Sequence, residues 1–141
     1  RPPVSALEGY PFIVREHGSG TRTAMEAFFA EHRFEARITM EMSSNETIKQ
    51  AVMAGMGLSF LSLHTIGLEV RSGLLGVLEV EGTPLMRTWN IVQLQSKVLS
   101  PAAEAFRYFI IERGEAHLLA HDAPLLSRSM ADSPLRSLPT P

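Results

Sequence analysis

The first 42 residues alternate between short apolar runs typical of strands and a helical pattern. A strand is predicted over residues 12–15, and a second over 37–42, where polar and apolar side chains alternate. Between them the apolar side chains recur at spacings of three and four, which predicts a helix over 21–32 with one face carrying Met25, Phe28, Phe29 and His32. The chain therefore begins as a strand, a helix and a strand.

The same alternation continues to residue 82. Small polar residues suited to an N-cap, Ser43 to Asn45, precede a helix that ends near Gly55 and Gly57. The nearly continuous apolar run 58–63 predicts a strand buried on both faces, and it is followed by a short helix over 64–72 and a strand over 74–80. Strands that alternate with helices favour a mostly parallel sheet covered on both faces.

The remainder of the chain does not simply extend this unit. Residues 83–87 are a proline-containing connector, 89–94 a further predicted strand, and Pro101 begins a helix predicted to Glu112. Its apolar stripe needs a partner surface and consists of Ala102, Ala105, Phe106, Phe109 and Ile110. We therefore predict two α/β lobes crossed twice by the chain: the end of lobe one with a hinge (1–11), lobe two (12–82), a hinge (83–87), a returning strand and helix of lobe one (88–122) and a flexible tail (123–141).

Composition excludes several classes of function. The chain is 45% hydrophobic and 20% charged with a net charge of −2, so it lacks the basic stripe that nucleic-acid binding requires. It contains no cysteine, which rules out disulfides and thiolate chemistry, and no apolar run reaches the 18 residues of a membrane helix. Without an initiating Met or a signal peptide at Arg1, we expect a segment of a longer, cytoplasmic protein, although a periplasmic protein without disulfides also fits.

The sharpest candidate for binding chemistry lies where the first strand meets the first helix. Glycines allow a close backbone approach, hydroxyls offer hydrogen bonds, and a helix N-terminus presents free N–H groups with about half a positive charge. Flanking arginines can donate two parallel hydrogen bonds to a carboxylate or phosphate. The predicted anion-binding residues are Arg15, Gly18, Ser19, Gly20, Thr21 and Arg22. The alternative is an ordinary tight turn with solvated arginines.

Two further groups are expected at the same carboxyl edge of the sheet, where open α/β folds bind ligands. Ser43, Ser44 and Asn45 begin the second helix, and His64 follows the third predicted strand. The serines could equally be simple caps, and a single histidine is more often structural than ligand-binding.

Catalytic and metal sites find little support. The sequence Gly18-Ser19-Gly20 lacks the spacing of a hydrolase nucleophile elbow, and no acidic partner is identifiable for His17 or His64. His117 and His121 have a zinc-compatible spacing but no adjacent carboxylate. We predict a protein that is not an enzyme and has no cofactor or metal.

Three motifs in order resemble LysR-type transcriptional regulators. The strand and turn ending in Arg15-Glu16-His17-Gly18-Ser19-Gly20-Thr21-Arg22 resembles the start of their second regulatory lobe. Residues 52–61 are similar to the family's Val-x-x-Gly-x-Gly-Ile-x-x-Leu signature, and 73–78 to its Gly-x-Leu-x-x-Leu strand. Residues 41–52 and 61–66 also resemble the branch that controls carbon-fixation operons.

This resemblance implies a type 2 periplasmic-binding-protein-like fold, with one complete lobe and part of the other in this chain. It implies that a small anionic metabolite binds between the lobes of a homodimer or homotetramer, with phosphorylated metabolites as a candidate class. It also implies that DNA is bound by a winged helix-turn-helix outside this sequence, with no membrane contact. A periplasmic solute-binding protein shares the fold and is the alternative; a small α/β hydrolase is a weaker one.

Overall fold

The structure, a computed structural model, describes the backbone of residues 1–129 and the side chains of residues 1–120. After a short 3-10 turn at Val4–Leu7, the elements in order are β1 (Pro11–Arg15), α1 (Gly20–Glu31), β2 (Arg37–Met42), α2 (Asn45–Met53), α3 (Leu63–Arg71) and α4 (Pro101–Ser129). The predicted strands and helices between residues 12 and 53 are thus confirmed, as is the short helix at α3.

Strand β1 lies at the centre of a small parallel sheet. It pairs with β2 on one side, with an irregularity between Phe12 and Ile13, and forms a parallel bridge to Leu58 on the other. The bridge is closed by the Ile13 N–H donating to the Leu58 carbonyl and the Leu58 N–H donating to the Pro11 carbonyl, both at 2.8 Å. Three parallel segments therefore meet at β1.

Successive side chains of β1 enter two different cores because a strand alternates its faces. Phe12 and Val14 join the larger core with the apolar face of α1, where the Phe12 ring meets Phe29 edge-on at 5.5 Å. Ile13 points to the other face and is fully buried against Ile48 of α2. Helices α1 and α2 consequently cover opposite faces of the sheet, as predicted for a doubly covered parallel sheet.

A buried ion pair joins α2 to α3. The Lys49 ammonium donates to a Glu69 carboxylate oxygen at 2.7 Å and to the Thr65 carbonyl at 3.1 Å, and the two side chains are only 6% and 12% exposed. The same ammonium also contacts the exposed carboxylate of Glu46 at 2.6 Å. These contacts fix the start of α3 relative to α2.

Two strand predictions within residues 12–82 were wrong. Segment 58–63 makes a single bridge at Leu58 and is half-buried, not buried on both faces, because no further strand covers its outer side in the described chain. Segment 74–80 is irregular. Backbone groups at both ends of this segment bond to nearby residues. The Leu74 N–H donates to the Glu69 carbonyl at the end of α3, and Val80 bonds through its N–H and carbonyl to the Thr83 hydroxyl.

The predicted strand 89–94 is also not formed. This segment is irregular and exposed, with the Trp89 side chain 73% accessible. A strand needs a neighbour to take up its backbone N–H and C=O groups, and the described residues supply none here. The segment does have the alternating apolar pattern of a strand, but a strand with this pattern forms only beside a partner strand.

Helix α4 begins at Pro101 as predicted and is longer than expected. It extends to Ser129, into the segment predicted to be a flexible tail; residues 130–141 lie outside the described part of the chain. The helix packs against α3, yet Phe106 and Phe109 of the predicted stripe remain 63% and 51% exposed. No helix in the described part combines enough length with enough apolar character to cross a membrane.

The Lys49–Glu69 pair generates a prediction about acid stability. The hydrogen bond from Lys49 holds the pKa of Glu69 below its usual range. Ionised Glu69 therefore stabilises the fold above its unfolded-state pKa of about 4.3, and this contribution is lost as pH falls through the lower folded-state pKa. We expect Glu69→Gln to lower the thermal midpoint at pH 7, with the difference from wild type shrinking below about pH 4.

Thermal unfolding across pH 3–8 measures this, with Glu46→Gln as the matched control. Glu46 contacts the same ammonium from solvent, where such pairs contribute about 0–1 kcal/mol, so its substitution should have little effect. A Glu69→Gln loss that is equal at pH 3 and pH 7 would contradict the assignment.

The exposed face of α4 generates a second prediction. Burying one phenylalanine side chain is worth about 1.5–3 kcal/mol, and contiguous exposed apolar surface tends to acquire a partner. We expect the isolated 141-residue chain to self-associate, and Phe106→Asp with Phe109→Asp to reduce the oligomer seen by light scattering. Leu68→Asp is the control, because Leu68 is equally exposed on α3. A well-folded monomer of the unmodified chain at high concentration would refute this.

Candidate anion-binding site

The turn between β1 and α1 has the local geometry that the sequence predicts. Gly18 adopts a φ of 87°, a conformation that favours glycine, and the Ser19 N–H donates to the Glu16 carbonyl at 3.2 Å. Ser19 is the N-cap of α1, but its side chain does not cap the helix, and the first turn contains no acidic residue. The first N–H groups of α1 therefore keep their capacity to bind an acceptor.

Arg15 connects the two helix-starting turns. Its guanidinium forms two hydrogen bonds to the Glu16 carboxylate at 2.7 and 2.9 Å and a third to the Asn45 side-chain oxygen at 2.7 Å. The hydrogen bond with Glu16 raises the pKa of Arg15, and the reciprocal interaction holds the pKa of Glu16 below its usual range. Both groups are thus charged at neutral pH, and the start of α2 is tied to the end of β1.

The buried side chain of Arg22 stabilises the same turn. Its side chain is only 7% exposed. The guanidinium donates to the carboxylate of Glu26 and, at 3.3 Å, to the Arg15 carbonyl, and it lies 3.8 Å from the Glu41 carboxylate. A buried arginine with these contacts holds the carboxyl end of β1 against α1.

The turn between β2 and α2 lies beside the first because β1 and β2 are parallel neighbours, with Arg15 opposite Met42. Ser44 is the N-cap of α2, and its hydroxyl accepts a hydrogen bond from the Thr47 N–H at 3.4 Å. Ser43 is exposed. Ser44 therefore caps α2 in this structure, and the Asn45 side-chain oxygen accepts a hydrogen bond from Arg15.

The structure brings together the residues of these two turns: Arg15, Gly18, Ser19, Gly20, Thr21, Arg22, Ser43, Ser44 and Asn45. His64 instead belongs to the first turn of α3, where its ring packs edge-on against Trp89 at 6.1 Å. The hydroxyls of Ser19 and Thr21 form no hydrogen bond within the described residues, so both can act as donors to a bound group.

Sequence reasoning missed one cation at this site. A methyl group added at Gly20 would lie 3.1 Å from Nη2 and 3.9 Å from Nη1 of Arg87, so the Arg87 guanidinium lies directly over the first residue of α1. Arg87 belongs to the connector 83–87. A single arginine in a proline-containing connector forms no pattern, and nothing in the sequence alone could have assigned it here.

The chemistry of these residues favours an anion. Free N–H groups, hydroxyl donors and a positive helix end all favour negative charge. Within the described side chains, no three of His, Cys, Asp and Glu cluster closely enough to hold a metal ion. The side chain of His121 lies outside that part, so the expectation of no zinc pair with His117 stays a prediction.

Comparison with known families identifies the chain. Residues 1–115 match the LysR substrate binding domain family. Similar relatives include the transcriptional regulator CfxR of Cupriavidus necator, 52% identical over 89% of this chain and 37% of the relative. Another is the transcriptional activator CmpR of Synechocystis, 49% identical over 83% of this chain and 38% of the relative. A third is the RuBisCO operon transcriptional regulator of Allochromatium vinosum, 53% identical over 77% of this chain and 36% of the relative.

A solved structure supports the fold. The regulatory domain of Synechocystis CcmR in complex with 2-PG matches with a TM-score of 0.72 and 38% identity, covering 79% of this chain and 54% of that one. The predicted type 2 periplasmic-binding-protein-like α/β fold is therefore confirmed. The relatives are transcriptional regulators, which agrees with the prediction that the chain is not an enzyme.

The chain spans just over a third of the length of the curated relatives that it matches. The family match over residues 1–115 nevertheless covers most of it. The chain belongs to the LysR substrate-binding domain family, in the branch of the carbon-fixation regulators.

Proposed function

We propose that this chain is the effector-sensing part of a transcriptional regulator and that it binds a small phosphorylated anion at the adjacent starts of α1 and α2. The observation that carries the proposal is the uncapped first turn of α1 beside the β2–α2 turn, at the carboxyl edge of a parallel sheet. Anions bind at such helix starts because free N–H groups and the helix dipole act together.

Phosphate is the anion that we favour. The solved relative is in complex with 2-PG, 2-phosphoglycolate, which carries both a phosphate and a carboxylate. A phosphate offers three oxygens, enough to accept from the first N–H groups of α1 and from the Ser19 and Thr21 hydroxyls together. Arg15 and Arg22 are engaged with Glu16, Asn45 and Glu26. We therefore propose that both arginines position the turns and that Arg15 lies on the side facing the carboxyl edge of the sheet, where the ligand binds.

A longer protein that contains this chain would carry further functions. We propose that a winged helix-turn-helix elsewhere in it binds DNA near carbon-fixation genes, that it is a cytoplasmic homodimer or homotetramer, and that the ligand lies between two lobes. Support comes from relatives named as an HTH-type transcriptional regulator and as RuBisCO operon transcriptional regulators. The two lobes meet at residues 1–11 and 83–87, and residues 88–122 return to lobe one.

Effector binding should depend on Arg22. Substitution by Ala removes the donor to the Arg15 carbonyl and leaves Glu26 unpaired, so the β1–α1 turn should lose its geometry. Charge-assisted hydrogen bonds contribute about 1.5–3 kcal/mol each. We expect Arg22→Ala to weaken binding of 2-phosphoglycolate to the full-length protein at least tenfold in calorimetry. Arg37→Ala is the control, since Arg37 begins β2 at the opposite edge of the sheet; unchanged affinity in Arg22→Ala would overturn the site.

This chain alone should not recognise operator DNA. Its 13 basic and 15 acidic residues cannot supply the phosphate contacts that dominate protein–DNA affinity. We expect no sequence-specific shift of operator DNA by residues 1–141 in a low-salt gel assay, with the full-length protein as the positive control. A specific shift by the fragment would overturn the assignment of DNA binding to another segment.

A further inference from the structure

The connector 83–87 carries a cation to the start of α1. The Arg87 guanidinium approaches the backbone at Gly20 so closely that an added methyl group would lie 3.1 Å from Nη2. Arg87 forms neither a hydrogen bond nor an ion pair with any described residue, and its side chain is exposed. Glycine at position 20 therefore makes room for this side chain.

The electrostatics of this contact are unfavourable by themselves. The first turn of a helix carries about half a positive charge, and α1 lacks both a side-chain cap and an acidic residue in its first turn. Arg87 adds a full positive charge beside it, while each neighbouring arginine, Arg15 and Arg22, has its own carboxylate partner. An anion bound between Arg87 and α1 would be attracted by both.

We propose that Arg87 is a ligand-binding residue that selects the phosphate group of the effector and ties it to the connector. This rests on the proposed function, because it assigns a further residue to the same site. A guanidinium can donate two parallel hydrogen bonds to phosphate oxygens, while the α1 N–H groups donate from the other side. A ligand held in this way links lobe two to the segment that continues toward residues 88–122, so its binding restricts the position of the connector.

The test compares ligands and variants of the full-length protein by calorimetry. Binding of 2-phosphoglycolate to Arg87→Gln should be weakened at least tenfold, which corresponds to about 1.4 kcal/mol, whereas glycolate, which lacks the phosphate, should bind Arg87→Gln and wild type with similar low affinity. Arg37→Gln, which removes the same charge at the opposite edge of the sheet, should bind 2-phosphoglycolate like wild type. Gly20→Ala should also weaken binding, because its methyl group displaces the guanidinium.

The outcomes separate this inference from the proposed function. If wild type binds 2-phosphoglycolate and Arg87→Gln binds it equally well, the role of Arg87 is wrong while the site stands. An equal loss in Arg37→Gln would show a general charge effect and would also overturn the role of Arg87. If wild type binds neither 2-phosphoglycolate nor inorganic phosphate, the proposed anion site itself fails. Because Arg87 is exposed and unpaired among the described residues, its substitution should leave the ligand-free thermal midpoint unchanged or slightly raised, which confirms that the variant is folded.

Discussion

The burial of β1 on both faces is the constraint on which the site depends. Phe12 and Val14 fill one core and Ile13 the other, so β1 can lie only between α1 and α2. Once it does, the parallel register with β2 brings both strand ends to one edge. The two helix starts then lie side by side whichever polar residues occupy them. The apolar residues of one short strand thus determine where the polar chemistry meets.

The charged residues around this edge have a second effect, which is to make the turns rigid. Arg15 is engaged by Glu16 and Asn45, and Arg22 by Glu26 and the Arg15 carbonyl. Side chains held in this way lose little further entropy when a ligand binds. The backbone N–H groups of α1 are available without breaking any of these pairs, since they belong to the uncapped first turn. In the proposed site an anion would therefore bind without displacing Glu16, and the arginine pairs would hold the two turns in place.

The sequence predicts the elements whose partners lie within the chain. Residues 12–53 form the predicted strands and helices because their apolar faces find each other locally, as Ile13 finds Ile48. The turn at Gly18 and the cap at Ser44 were likewise predictable from local chemistry. The approach of Arg22 to Glu41, the Lys49–Glu69 pair and the approach of Arg87 to Gly20 were not, since each depends on a tertiary arrangement that spacing does not encode. For Arg87 the two residues are 67 positions apart, and no periodicity links them.

The failed strand prediction at 89–94 has a different cause, which bears on what the chain needs. Its alternation is that of a strand, yet the segment is irregular and Trp89 is exposed. Backbone groups of a strand need a neighbouring strand, and the apolar face of α4 likewise needs a surface to cover Phe106 and Phe109. Both features fall in the part of the chain beyond the connector, while the buried hydrophobic residues of the described chain all lie before it. The matched relatives extend well beyond this chain, and we propose that a segment of such a longer protein supplies both surfaces. With the proposed division into two lobes, the connector that carries Arg87 would lie between them, and a ligand held by Arg87 and α1 would act at their junction.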